Sequence, residues 1–150
     1  MQFSEILGQE YIKSHLTKSA DLGRIPHAQL FVGPEGSGTL PMAIAYAQYI
    51  LCFNKNNENQ DGNDSCNLKF KSYSHPDLYF IYPTVTTEDI KTKPKSIDFI
   101  ADWRQFLLEK PYGSLFDWYQ ILGVKNKQGE IRVEDAQDIL KSLSLKSYEG

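Results

Sequence analysis

Eight residues, Gly33-Pro34-Glu35-Gly36-Ser37-Gly38-Thr39-Leu40, constrain this chain more than any others. Their spacing is that of the phosphate-binding loop G-x-x-x-x-G-K-[ST]. In that loop the glycines let backbone N–H groups wrap phosphates, the lysine reaches the β- and γ-phosphates, and the hydroxyl holds Mg²⁺. Gly33 and Gly38 keep the register, but Thr39 stands in the lysine's place and Leu40 in the hydroxyl's. The flanks suit the context: residues 27–32 (His-Ala-Gln-Leu-Phe-Val) read as a buried strand, and 42–51 as the Ala-rich helix that follows. An ordinary strand–turn–helix connection is the plain alternative, and three glycines within residues 33–38 argue against it.

Gly33, Gly36, Gly38 and Thr39 are therefore expected to form a degenerate phosphate loop, with no catalytic residue in it. Backbone amides and a helix N-terminus hold an anion unaided, so the ligand expectation stops at weak ATP, ADP, phosphate or sulfate binding. Glu35 brings a carboxylate into the loop. Phosphoryl transfer rests on electrostatic stabilisation by a lysine and Mg²⁺, so hydrolysis is not expected, and no cofactor is.

The bulk properties remove several classes. An apolar fraction of 41% with 13% aromatics suits a globular domain. No apolar run approaches the roughly 18 residues a membrane helix needs, and the N-terminus lacks a signal-peptide pattern. Two cysteines make no disulfide framework, so a reducing cytoplasm is the default. Cys52 reads as a buried cysteine at a helix end and Cys66 as an exposed thiol in a loop. A net charge of −3 argues against this chain gripping DNA alone, because that affinity comes from clustered Lys and Arg.

Along the chain, residues 7–22 predict an amphipathic helix through Ile12, Leu16 and Ala20, with Gly23 as its C-cap. Residues 54–67 are Asn-rich and polar and read as a surface loop within a 54–74 insertion. Residues 77–83, between two prolines, read as a second buried strand. A loop covers 84–95. A helix over 97–108 would place Ile97, Ile100, Ala101, Phe106 and Leu107 on one side. The aromatic run Tyr112, Phe116, Trp118 and Tyr119 reads as a packed short helix or ordered loop rather than a base-stacking platform. A turn at Gly129 leads to a short extended 131–133. A helix over 134–145 follows, with Val133, Ala136, Ile139, Leu140 and Leu143 at helical spacing. This order predicts an α/β layered domain with a parallel sheet. His27 and His75 read as polar caps, and Arg24 either as a solvated residue after the helix end or as one near the nucleotide face. The lysines at 91, 93, 95, 125 and 127 read as a solvated face with phosphate contact as the sharper alternative.

Gly8-Gln9, Gly23-Arg24-Ile25-Pro26-His27-Ala28-Gln29-Leu30-Phe31, the glycine loop, Ala45-Tyr46-Ala47-Gln48, His75-Pro76-Asp77-Leu78 and Arg132-Val133-Glu134-Asp135-Ala136 follow one another in an order that resembles a known family. The chain is similar to the clamp-loader subunits of bacterial DNA polymerase III, and among these to the delta-prime type as found in Bacteroidetes. The resemblance implies the N-terminal part of an AAA+ P-loop domain over 1–150, a three-layer parallel sheet ending before the acidic Walker B strand, with lid and collar domains beyond. It implies a non-catalytic stator in the polymerase III holoenzyme, a nucleotidyltransferase complex, that helps load the sliding clamp onto primed DNA. Its partners would be the motor and delta subunits, the clamp and DNA through the complex, and no membrane. The alternative is an active P-loop ATPase, a motor or helicase-like subunit with an atypical loop.

The family's insertion carries four zinc-binding cysteines. Cys52 and Cys66 match the first two positions, while Lys69 and Ser72 stand at the others. Two thiolates cannot close a four-ligand site, so these are remnant ligands and no metal is expected. The resemblance also implies that the strands over 27–32 and 77–83 are not sheet neighbours. Open edges are templates for pairing, so self-association through them is an expectation.

Overall fold

The computed structural model describes residues 1–53, 64–124 and 127–144. They fall into two compact units, Met1–His75 and Pro76–Gly150.

In the first unit a 3-10 turn, Phe3–Glu5, precedes α1, Glu10–Asp21. Leu16 and Ala20, one turn apart on α1, are buried, as the helical spacing requires. Gly23 closes α1 in the left-handed region at φ 67°. The Arg24 N–H then reaches the Ser19 carbonyl and the Gly23 N–H reaches Ala20, which satisfies two orphan carbonyls of the last turn. The glycine loop leads into α2, Thr39–Cys52, which is apolar almost all round and correspondingly buried through Met42, Ile44, Ala45, Tyr46 and Cys52. Ile6, Leu16, Ala20, Met42, Ala45 and Tyr46 form the core, with Phe3, Phe31 and Tyr49 packed at its edge. A third helix, α3, spans Asp64–Lys71 and buries Cys66 and Phe70.

The second unit is built around aromatic rings. A 3-10 turn, Ser96–Phe99, runs into α4, Ile100–Glu109; α5 is Leu115–Ile121 and α6 is Val133–Leu143. Tyr82 stacks on Trp103 at 4.0 Å between centroids, and Trp118 stands edge-on to both at 5.2 and 5.0 Å. The Trp118 indole N–H donates to the Pro83 carbonyl at 2.9 Å. Asp135, buried at the start of α6, accepts from the Ser96 N–H at 2.7 Å and from the Arg132 N–H at 3.3 Å.

The expected three-layer parallel sheet is overturned. Among the described residues there is no strand, and the sole bridge is an isolated antiparallel one between Thr84 and Glu130. A strand is defined by a neighbour's hydrogen bonds, and an apolar run supplies only half of that. Residues 27–32 carry no secondary structure, with Leu30 and Val32 exposed at 88% and 81%. Residues 77–83 are likewise irregular, and Tyr82 goes into the aromatic core instead of a sheet.

Three smaller expectations also change. Residues 64–67 lie in α3 rather than a loop, while 54–63 fall outside the described residues. In consequence Cys66 is buried, not exposed, and it is joined to Cys52 as a disulfide. The start of α3 returns the chain to the end of α2 and brings the two Cα atoms to 5.4 Å, within disulfide reach. On α4 the buried residues are Trp103, Phe106 and Leu107, while Ile97 is exposed, so the inward face is rotated from the expected one.

Candidate functional site

A groove of about 580 Å³ opens in the first unit where the start of α1, residues 29–33 and the glycine loop converge on the start of α2. Gln9, Ile12 and His15 line one side, Leu30 and Val32 another, and Gly33, Ser37, Gly38 and Thr39 the end. The size lies within the roughly 300–1,000 Å³ range of small-molecule sites. Local backbone chemistry explains its shape. Gln9 and Gly38, the residues before α1 and α2, are both left-handed, at φ 62° and 87°. Gly38 adopts that conformation at no steric cost.

The groove's polar character comes from the helix end. Helix geometry leaves the first-turn N–H groups without intrahelical partners, and Gly38 offers no side chain to cap them. Thr39 and Leu40 supply two such N–H groups, and Pro41, buried at the third position, supplies none. The loop is folded onto itself. The Ser37 N–H donates to the Pro34 carbonyl at 3.1 Å, and the Ser37 hydroxyl is enclosed without a hydrogen-bond partner directly over Gly33. Any Cβ at position 33 would collide with that hydroxyl. A side chain at position 33 would therefore have to turn the Ser37 hydroxyl away.

Among the described residues no lysine, arginine or carboxylate lines the groove, and His15 is the one basic side chain there. A triphosphate with Mg²⁺ needs a facing cation and a hydroxyl or carboxylate on the metal. Thr39 puts a hydroxyl where the cation belongs and Leu40 has none where the metal's hydroxyl belongs, so the donor set does not fit Mg-ATP as a working site. The expected site residues Gly33, Gly38 and Thr39 are brought together at the end of the groove. Gly36, left-handed at φ 76°, lies in the exposed bend of the loop.

Arg24, His27 and His75 do not line the groove. Arg24 and His27 are exposed, while His75 is buried with its ring 4.9 Å from Phe70. Lys93 pairs with Glu134, Lys95 with Asp138, and the Lys127 ammonium donates to the Thr86 carbonyl. Lys125 lies outside the described residues. Of the aromatic run, Trp118 is fully buried and the Tyr119 hydroxyl accepts from the Gly129 N–H, while Phe116 is exposed. The zinc-module positions do not form a donor set: Cys52 and Cys66 are bonded to each other, and Ser72 Oγ donates to the Lys69 carbonyl.

Sequence reasoning missed a second, smaller cavity of about 290 Å³ at the far end of α2, bordered by Phe3, Gln48, Tyr49, Cys52, Phe53 and Asn67. The hydroxyl of Tyr49 donates to Asp21 at 2.7 Å. Partial burial first, and that carboxylate second, push its pKa up to about 12. The aromatic residues at 3, 49 and 53 were the available signal.

The family model described as "DNA polymerase III, delta subunit" matches residues 8–150. A segment of 50 residues, 33% of the chain, is 42% identical to DNA polymerase III subunit gamma/tau of Mycobacterium tuberculosis (strain CDC 1551 / Oshkosh) and of Mycobacterium bovis, covering 9% of each. The match to DNA polymerase III subunit gamma of Buchnera aphidicola subsp. Baizongia pistaciae is also 42% identical over 50 residues and covers 14% of that protein. The chain thus matches only a small part of these curated relatives. No solved structure matches it.

Proposed function

The chain belongs to the DNA polymerase III delta subunit family, and from that premise we propose that it is a delta-prime-type stator of the bacterial clamp loader. In this reading it turns over no ATP itself. It positions neighbouring motor subunits, which load the sliding clamp onto primed DNA, and it works in the cytoplasm. DNA is reached through the complex, in keeping with a net charge of −3 and with lysines 93, 95 and 127 already engaged within the chain.

The observation that carries the proposal is the groove at the glycine loop. It keeps the glycines and an uncapped helix start, but Thr39 and Leu40 replace the two side chains that phosphoryl transfer needs, and no lysine or arginine among the described residues lines the groove. A scaffold that retains the shape of a nucleotide site without its charge suits an assembly subunit.

The test is reconstitution of the full-length protein with gamma/tau-type motor subunits, delta and the clamp, reading ATP turnover and clamp loading on primed DNA. The proposal expects no turnover by this protein alone and a loss of clamp loading when it is omitted. Turnover by the isolated protein would favour a motor ATPase, and undiminished loading without it would remove the stator role.

A further inference from the structure

α2 ends at Cys52, and Cys66 sits in the first turn of α3. Their disulfide is enclosed, with the two residues 3% and 0% exposed. One hydrogen bond crosses the same junction, and a second ties the N-terminus to it. Gln48 Nε2 donates to Asn67 Oδ1 at 2.7 Å, and the Met1 ammonium donates to Gln48 Oε1 at 3.0 Å. Met1, Gln48, Asn67 and the disulfide therefore form one connected tie between the N-terminus, α2 and α3.

α3 is too short to be stable by itself. It is eight residues long, well under the roughly 12–15 residues at which even good helix formers become marginal in water. Its buried residues are Cys66 and Phe70 alone. The disulfide spans a sequence separation of 14, and closing such a loop removes conformational freedom from the undocked state. When the sulfurs are reduced, that constraint disappears and the undocked state of α3 becomes easier to reach.

We propose that Cys52–Cys66 is a thiol–disulfide switch that sets whether α3 is docked on α2. In the closing direction, one cysteine thiolate attacks a low-molecular-weight disulfide such as oxidised glutathione. That forms a mixed disulfide and expels one thiol. The second cysteine thiolate then displaces the other, so two protein thiols give up two electrons and two protons while the oxidant becomes two thiols. A dithiol reductant runs the same exchange backwards. Because both sulfurs are enclosed, exchange proceeds through the lifted form of α3, which couples the redox step to the conformational one.

The experiment uses the full-length protein purified without reductant. Thiols are titrated and hydrogen exchange is followed in 64–71 and in α1, first as purified, then with dithiothreitol, then after return to oxidised glutathione. The expected result is no reactive Cys52 or Cys66 thiol at first and both after reduction. Exchange in 64–71 should rise roughly tenfold or more, α1 should stay unchanged, and re-oxidation should restore the starting state. A Cys52→Ser, Cys66→Ser double variant should exchange like the reduced protein in every buffer. Equal exchange of 64–71 in the two redox states would overturn the switch. So would cysteines that stay unpaired under oxidised glutathione, or a bond that dithiothreitol cannot open in the native protein.

Discussion

Trp118 makes the second unit's core specific. Its ring is fully buried among Tyr82, Trp103 and Phe106, and its N–H is spent on the Pro83 carbonyl. Trp118→Ala should therefore destabilise the protein by about 3–5 kcal/mol. Trp118→Phe, which keeps a ring and orphans one carbonyl, should cost about 1–3 kcal/mol. Chemical denaturation followed by far-UV circular dichroism measures both, and a cost near zero for the alanine variant would remove Trp118 from the core. That an aromatic run near residue 118 packs inward was legible in the sequence, because rings without interleaved cations seek each other. Which ring turns in was not: Phe116, two residues earlier on the same short helix, is exposed. The face of a helix this short is chosen by its neighbours.

At the scale of elements, α5 shows how a short helix is held. Ser114 caps it by accepting from the Asp117 N–H at 3.1 Å, and Asp117 returns the contact by accepting from the Ser114 N–H and hydroxyl. Lys110 also donates to Asp117, and these partners, Lys110 foremost, hold the carboxyl well below its ordinary value of 3.8. A carboxyl depressed in the folded state contributes stability that is present above its unfolded pKa and is lost as pH falls through the folded one. Stability should thus decline below about pH 4 in part through Asp117, and Asp117→Asn should flatten that decline when thermal midpoints are measured from pH 6 to pH 2. An unchanged acid limb would contradict the pairing. Ser114→Ala should cost about 1 kcal/mol at neutral pH.

Helices were the legible elements, since a 3.6-residue period and a Gly23-type stop are written locally. Strands were not. The runs at 27–32 and 77–83 have strand composition, yet a strand needs hydrogen bonds from a neighbour that no local pattern specifies, and none is provided among the described residues. α6 makes a related point. A helix was expected over 134–145, after an extended 131–133, and α6 spans Val133–Leu143; Val133 and Leu140 are exposed at 71% and 69%, while Asp135 is buried. Periodicity locates a helix without saying which side is covered.

Across the whole molecule, the first unit's candidate site follows from the order of its parts: a left-handed residue before each of α1 and α2, a glycine loop, and a groove between them. The glycine spacing and the missing lysine and hydroxyl could be read from residues 33–40 directly. The self-packing of Ser37 over Gly33 could not, because it depends on how the loop turns, nor could the junction of Cys52 with Cys66, which depends on where the chain returns after residue 63. The central claim is that this groove keeps the shape of a nucleotide site and has lost its charge. Calorimetric titration of Mg-ATP and of ADP into the full-length protein, beside a Thr39→Lys, Leu40→Thr double variant, tests it most directly. The account predicts no measurable Mg-ATP binding by the natural sequence and a gain of binding in the variant. Micromolar Mg-ATP binding by the natural sequence would contradict it.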